Sequence, residues 1–600
     1  MDVILSLILL GGGLAFFMFG MNVMSAGLEK MAGGKLESSL RTMTSNKAKA
    51  LTLGAGITVA IQSSSAMTVM LVGLVNSGVM KLGQTIGVIM GSNIGTTLTA
   101  WITSLTGIEG GGFMALLKPE NFSLFLALIG TVFIMFSKSD KKKNLAEILI
   151  GFAVLMYGMK MMGDSMKPLR EMLEAESAAG GGVVTNVLEW FKNPLVGVLV
   201  GAIVTGVIQS SAASVAILQN LANLPGNPIT YGMAIPIIMG QNIGTCVTAL
   251  ISSIGVNKNA RRVAVVHISF NLIGTAVCLS IFYLVKFLCD LLIANLGVFA
   301  FADQGVDGFG IALVHTIFNV VTTAILIPFS RQLEKLAYFI IKDKEEEEEY
   351  TFIDERLLST PSIAVGESVA KANQMCDIAF SSIGLAVELV NDYDEKKSQA
   401  IFDFEDQLDL YEDKLGTYLV RLSRVDMSRK ESDTISKLLH AIGDFERIGD
   451  HALNLLKAAK ELNEKGLKFS KEATDELRVL SNASHEIFSL TKLAFETSDV
   501  EVARKVEPIE QVIDRLIKKI RANHIERLSQ GNCTIELGFI LADLLNNFER
   551  VSDHCSNLAV EIIEIDRQEL DTHEYLNNIK YLDNAEFNEI YEEYKVKYSI

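Results

Sequence analysis

Ile61-Gln-Ser-Ser-Ser-Ala-Met67 sits in the middle of a long apolar stretch, and the chain nearly repeats it as Ile208-Gln-Ser-Ser-Ala-Ala-Ser214. A glutamine amide brings several hydrogen-bonding groups into an apolar setting, at a cost of roughly 1 to 3 kcal/mol for each one left unpaired. Small and hydroxyl residues alone would be ordinary at contacts between membrane helices. Keeping the costlier glutamine twice, at matched positions, favours a ligand as its partner. From Leu51 to Ser77 the apolar runs on either side are about ten residues long, short of the roughly 20 a spanning helix requires. Broken or re-entrant helices fit this pattern, because backbone that leaves the helix at membrane depth is tolerated only where it lines a cavity or is buried in protein. Half-helix N-termini offer free N–H groups to an anion, while unwound carbonyls and side-chain oxygens coordinate sodium.

The duplication extends outward. Phe17-Met-Phe-Gly-Met-Asn-Val-Met24 reappears as Leu155-Met-Tyr-Gly-Met-Lys-Met-Met162, and Thr58 precedes Gln62 by four residues as Thr205 precedes Gln209. Gly91-Ser-Asn-Ile-Gly-Thr-Thr97, read as a second interruption of an apolar run, returns as Gly240-Gln-Asn-Ile-Gly-Thr-Cys246. Matches in the same order, at offsets of 138 to 149, are internal repeats of a size that recurs in secondary transporters. The basic loops Arg41 to Lys49, Lys138 to Lys143, Lys258 to Arg262 and Arg331 to Lys335 belong on the cytoplasmic side. The first apolar helix, Val3 to Met24, then enters from outside, and its copy, about Ala146 to Met162, leaves from inside, so the halves are inverted. Val3 to Met24 has no basic n-region or convincing cleavage site and reads as a retained span.

The rest of the composition agrees. With 600 residues, only 20% of them charged, and a mean hydropathy of +0.33, the chain is too apolar for an average soluble protein. The net charge of −17 belongs mostly to Lys342 to Ile600, and no basic stripe suits nucleic acid. Six cysteines without a CxxC give neither a disulfide framework nor a zinc site.

The paired Gln62-Ser-Ser-Ser65 and Gln209-Ser-Ser211, the paired Gly-x-Asn-Ile-Gly-Thr motifs and Arg261-Arg-Val-Ala-Val-Val-His-Ile-Ser-Phe-Asn271 resemble the type II sodium/phosphate cotransporter family over most of Met1 to Phe329. The resemblance implies that the two breaks meet near the membrane midplane to hold phosphate and sodium. By position it assigns Gln62, Ser63, Ser64, Ser65, Gln209, Ser210 and Ser211 to the site, with Asn93, Thr96, Asn242 and Thr245 nearby. Ala212 stands where the first copy has Ser65, which leaves the ion count open. No Arg or Lys lies inside either break, so a divalent anion would be met by hydroxyls, amides, helix ends and co-bound cations, a set that releases its ligand more readily than an arginine clamp. His267 with Asn271, and His315 with Asn319, form a further echo, read as hydrogen-bonded packing.

Lys342-Asp-Lys-Glu-Glu-Glu-Glu-Glu-Tyr350 reads as a solvated linker, and amphipathic helices follow. Phe445-Glu-Arg-Ile-Gly-Asp-His-Ala-Leu-Asn-Leu455 matches Phe548-Glu-Arg-Val-Ser-Asp-His-Cys-Ser-Asn-Leu558, and two three-helix bundles are expected. In each copy a Glu precedes an Asp by four residues, on one helix face. One such pair is usually solvated surface; four in register suggest oxygen ligands converging on a cation. Residues 363–568 resemble PhoU, a family of paired three-helix bundles associated with phosphate signalling whose E(D)xxxD motifs bind metals. The resemblance assigns a divalent or iron-type metal to Glu446, Asp450, Glu549 and Asp553, with Glu405, Asp409, Glu510 and Asp514 as weaker ligands.

The expected protein is all-α: a polytopic membrane helix bundle of inverted repeats with re-entrant helices (1–341, repeats about 1–136 and 145–329), a linker (342–362), the PhoU-like pair of bundles (363–568) and a tail (569–600). The expected activity is sodium-coupled symport of inorganic phosphate by alternating access, in the inner membrane with the C-terminal domain cytoplasmic. Partners would be phosphate, sodium, the lipid bilayer and a second copy in a homodimer. Two alternatives stay open: export of phosphate or carriage of a related oxyanion, and a membrane-tethered, metal-binding phosphate-signalling protein. No Walker A, GxSxG or HExxH motif is present, and an enzyme is not expected.

Overall fold

The computed structural model describes residues 2–32, 44, 46–105, 119–168, 170–172, 175, 189–224, 228–292, 300–342, 351–567 and 585–600. It divides into two compact units, Met1–Ile363 and Ala364–Ile600. Both are helical, with no named strand among the described residues.

The first repeat contains α1 (Asp2–Ala32), α2 (Lys47–Ile61), α3 (Ser64–Asn76), α4 (Leu82–Ser104) and α5 (Pro119–Phe136). The second contains α6 (Asp140–Ser165), α7 (Pro194–Ile208), α8 (Ser211–Ala222), α9 (Tyr231–Gly244), α10 (Cys246–Ser252) and α11 (Lys258–Leu292), followed by α12 (Gly308–Leu326) and α13 (Ser330–Ile340). Five described helical stretches are long and apolar enough to cross a bilayer: Ile4–Met31, Asp140–Met172, Tyr231–Ser252, Lys258–Cys289 and Gly308–Ile340.

Glycines show how the repeats are related. A Cβ on Gly20 would lie 2.3 Å from the backbone N of Leu155, and one on Gly158 would lie 2.3 Å from that of Phe17. Gly13 meets Met162 N at 2.8 Å as Gly151 meets Met24 N at 2.4 Å. Each contact becomes its partner when 138 is added to one residue number and subtracted from the other, so α1 and α6 pack antiparallel about a local two-fold relation. The small residues allow the backbones to touch.

The hairpins repeat the same way. Gly54, Gly91 and Gly95 press α2 onto α4, where a Cβ would fall 2.1 Å from Val88 O, 2.0 Å from Leu51 O and 2.6 Å from Ala55 O. Their counterparts Gly201, Gly240 and Gly244 meet Ile237 O, Val198 O and Ala202 O at 2.2, 2.1 and 2.6 Å. This corrects the expected interruption at Gly91 to Gly95: α4 runs unbroken from Leu82 to Ser104. In the second copy only Thr245 separates α9 from α10, with helical backbone. These glycines serve close packing rather than a break.

The second unit holds the expected bundles: α14 (Pro361–Asn391, its first residues in the first unit), α15 (Glu395–Leu422) and α16 (Arg429–Glu464), then α17 (Lys471–Thr497), a short α18 (Val500–Ala503), α19 (Val506–Ser529) and α20 (Ile535–Arg567). Ser428 and Glu431 form a capping box at the start of α16, satisfying N–H groups that a helix start leaves free. Phe445 packs edge-on to Phe495 at 4.9 Å and near Phe380 at 6.4 Å.

Two expectations about connecting segments are corrected. Within the supposed linker, Ile353, Asp354 and Leu357 are buried and residues 351–360 lie on the first unit; the acidic run at 343–350 is outside the described residues. Part of the supposed tail is α21 (Ala585–Lys597), anchored by Tyr598 and Lys597 on Glu486, the latter at 2.7 Å. In both cases apolar and aromatic residues among the charges supply the buried contacts.

Candidate functional site

Each Gln-Ser-Ser motif is the turn of a helical hairpin. Helix α2 starts on Asn46, whose Oδ1 accepts from Ala48 N at 2.9 Å, and ends at Ile61. Helix α7 starts on Asn193, which accepts from Leu195 N at 3.0 Å with Pro194 at the first position, a favoured start. Gln62 and Gln209 then adopt left-handed backbone, φ 55° and 57° with ψ 22° in both. Ser63 and Ser210 are extended and cap the next helices, accepting from Ala66 N at 3.1 Å and Ala213 N at 3.2 Å. The result is two near-identical half-helix N-termini, at Ser64-Ser65 and Ser211-Ala212, without a charged side chain in either break. Free N–H groups and serine hydroxyls there suit an anion.

Helix α4 touches both hairpins. Thr99 Oγ1 donates to Gln62 Oε1 at 2.9 Å. One turn on, Ile102 packs against the cluster that holds Ala212 and Ala213 of the second break, with Phe17, Met156 and Met159 from α1 and α6. Gln219 of α8 reaches Ala100 O at 2.9 Å and Gly308 O at 3.0 Å, fixing the second hairpin to the first repeat. Thr68 of α3 lies 3.4 Å from His267 Nδ1 on α11, fixing the first hairpin to the second repeat. No direct hydrogen bond joins the two motifs among the described residues.

The flanking motif residues turn inward on their own helices. Asn93 and Asn242 donate to Ile89 O and Ile238 O, each at 3.0 Å, while Thr96 and Thr245 donate to Ser92 O at 3.0 Å and Asn242 O at 2.6 Å. Reasoning from sequence missed Thr99. It also missed the hydroxyl pairs Thr58–Ser92 and Thr205–Ser214, both 2.8 Å. Ser92 corresponds to Gln241 in the second copy and Ser214 to Met67 in the first, so the partner hydroxyl has changed helices between repeats. Gln241 uses its amide on Ser214 O at 3.0 Å. Asn271, left out of the sequence-derived site, donates to His267 O at 3.0 Å and Cys246 Sγ at 3.4 Å.

The two halves differ. Gln62 is 8% exposed, whereas Gln209 is exposed. Thr248, which corresponds to Thr99, keeps a buried hydroxyl without a partner, as do the carbonyl oxygens of Gln241 and Asn271. Three acceptor oxygens around the second Gly-x-Asn-Ile-Gly-Thr motif are therefore buried and unsatisfied, the donor chemistry of a hard cation such as sodium.

In the second unit the Glu-x-x-x-Asp carboxylates have different neighbours in the two bundles. Burial and the neighbouring Asp450, Glu412 and Asp409 push Glu446 up to about 7, against only Arg447. Burial with Asp409, Asp406 and Asp450 also raises Glu405. In the second bundle, Asp514 pairs with Lys518 at 3.3 Å, Glu549 with Arg521 at 2.9 Å and Asp553 with Arg550 at 3.8 Å, and Glu510 accepts from Gln511 at 3.0 Å. Among the described residues no group of three or more Asp, Glu, His or Cys is arranged to hold a metal ion. The first-bundle carboxylates fit a metal by charge but not by geometry; in the second, Asp514, Glu549 and Asp553 have basic neighbours and Glu510 an amide donor, while burial and Asp514 raise Asp553.

Comparison with known proteins follows the same division. Residues 16–164 and 165–302 match the family described as Na+/Pi-cotransporter, and residues 372–459 and 477–562 match the PhoU domain. The "Putative inorganic phosphate export protein YjbB" of Salmonella typhimurium is 22% identical over 579 residues, covering 95% of this chain and 100% of that one. Its namesake in Escherichia coli K12 is 21% identical over 568 residues, 93% and 98% of the two chains. The Bacillus subtilis "Uncharacterized protein YqeW" is 27% identical over 331 residues, 55% and 96%. The crystal structure of PhoU from Pseudomonas aeruginosa aligns with 34% of this chain and 98% of its own, at 22% identity and a TM-score of 0.33. The two cotransporter matches meet at residues 164 and 165, so one hairpin lies in each. In its N-terminal half this chain belongs to the Na+/Pi-cotransporter family, and it carries a PhoU domain after it.

Proposed function

We propose that the protein carries inorganic phosphate across the membrane in symport with sodium, by alternating access around Gln62-Ser-Ser-Ser65 and Gln209-Ser-Ser211. The observation that carries this reading is the pair of matched, uncharged half-helix N-termini tied to one helix, beside buried acceptor oxygens that lack donors. The helix ends and hydroxyls of Ser63 to Ser65 and Ser210 to Ser211 would hold phosphate, and sodium would supply positive charge among the acceptors, so no fixed cation need be dislodged at release. Gln62 shut against Thr99 while Gln209 is exposed supports two hairpin states, as a two-state carrier requires. Metal binding by the Glu-x-x-x-Asp carboxylates is proposed at the level of charge alone and enters no step. The second unit would lie in the cytoplasm, on the side of the basic loops.

The test is uptake of labelled phosphate by liposomes containing the purified chain under an inward sodium gradient. Accumulation that needs sodium supports the proposal; none under any gradient rejects it. A second reading, net export, is favoured by the name that the YjbB relatives carry. Reversing the gradient separates the two, since a sodium-coupled symporter reverses its flux and an exporter driven otherwise does not.

A further inference from the structure

The segment after the acidic run closes on the far end of the first hairpin. Helix α3 has Ser63 of the binding motif as its cap and Asn76 as its last residue, about 20 Å apart at 1.5 Å per residue. Asn76 is 3% exposed and uses every polar group it has. Its Nδ2 donates to Asp354 Oδ2 at 2.6 Å and Thr351 Oγ1 at 3.0 Å, and its Oδ1 accepts from Asn257 N at 2.9 Å. Its carbonyl, which a helix end leaves free, accepts from Thr351 N at 3.2 Å and Asn257 Nδ2 at 3.1 Å.

Three segments distant in sequence therefore meet at one side chain: the end of α3, the turn before α11 in the other repeat, and residues 351–357. Further bonds brace the junction. Asp354 N donates to Ser77 Oγ at 3.0 Å. Arg356 donates to Asp354 Oδ2 at 3.0 Å and to Ile254 O at 2.7 Å. Leu357, fully buried, fills the space beside Gly73, where a Cβ would come within 2.9 Å of its Cδ2.

We propose that residues 351–357 are a clamp on the first hairpin, with Asn76 as the positioning residue that sets where the Ser63 to Ser65 half of the site stands relative to the second repeat. A helix of this length moves as one body, so α3 cannot shift its binding end while Asn76 stays bonded to both Asn257 and Asp354. The same strap runs directly into α14, which makes it the covalent route by which the PhoU domain can act on the site. Buried polar junctions satisfied in only one arrangement specify that arrangement strongly. The inference rests on the transport reading only where transport is measured.

The test uses the full chain. Asn76→Asp sets a second carboxylate against Asp354, and adding Asp354→Asn puts a donor back opposite a carboxylate. Amide hydrogen exchange of the single variant is expected to quicken by about tenfold or more in 351–357, 253–258 and the last turn of α3 together, and to return close to wild type in the double variant. Leu357→Ser, which withdraws the plug and leaves the junction residues intact, gives the same three-segment pattern. Sodium-driven phosphate uptake falls by about fivefold or more in Asn76→Asp and recovers in the double variant. Faster exchange confined to the strap, or a double variant no better than the single, overturns the clamp. A wild-type chain that shows the protected pattern but moves no phosphate overturns the transport reading and leaves the clamp standing.

Discussion

Gln62 and Gln209 hold the same left-handed backbone, a conformation that costs a non-glycine residue roughly 1 kcal/mol or more. A glycine would relieve that cost, so the glutamine side chain must repay it. In Gln62 the amide donates to Val59 O at 2.6 Å and the carbonyl accepts from Thr99. Gln62→Ala and Gln209→Ala are each expected to cut sodium-dependent phosphate uptake by about tenfold or more while membrane insertion stays normal; uptake within twofold of wild type in either contradicts the assignment. Thr99→Val keeps the shape and removes the donor to Gln62, and should raise the apparent KM for phosphate with less effect on maximal rate. The glutamines were legible in the sequence because their polarity is anomalous where they stand. Thr99 was not, because a threonine within a membrane helix is ordinary until the structure shows what it faces.

Among elements, the hairpins were legible from the short apolar runs and the polar turn between them. The continuity of α4 was not, because glycine signals either a break or a close approach and the sequence alone does not say which. Gly91→Ala would put a Cβ 2.0 Å from Leu51 O, whereas Gly56 has nothing within 4 Å. Overpacking of this kind costs about 1–3 kcal/mol, so Gly91→Ala should lower the thermal midpoint in detergent and Gly56→Ala should leave it nearly unchanged. Equal midpoints would remove the packing account of these glycines. In the second unit, Glu446 has its proton affinity raised to about 7 by burial and by Asp450, Glu412 and Asp409. The native state therefore holds a proton that the unfolded chain releases near the ordinary carboxylate range, so this group's contribution to stability falls as pH rises from about 4.5 through about 7. Glu446→Gln should flatten that part of the stability profile of the full chain, followed by a second-unit probe such as hydrogen exchange in α16; an unchanged profile would place the effect elsewhere. The carboxylate pairs were visible as a repeat, but their partners Arg521, Lys518 and Arg550 could be assigned only once the helices were packed.

At the scale of the molecule, the order of a duplicated membrane part and a duplicated helical part could be read from matched motifs and the shift in charge. The strap at 351–357 could not, because Leu357 and Ile353 are too few to stand out beside the acidic run. If the PhoU domain biases the carrier between its states, removing Ala364 to Ile600 while keeping the strap should change the rate or the phosphate dependence of uptake by about threefold or more; identical kinetics would leave the domain without that role. On the proposed mechanism, two uncharged breaks related by a local two-fold build one oxyanion site that needs a cation to be complete. Equilibrium binding of labelled phosphate to the purified chain, with sodium or with potassium, tests it most directly. Saturable binding in sodium alone is expected, lost in Gln62→Ala and equally in Gln209→Ala. Binding that ignores the cation, or that survives the loss of either glutamine, would contradict it.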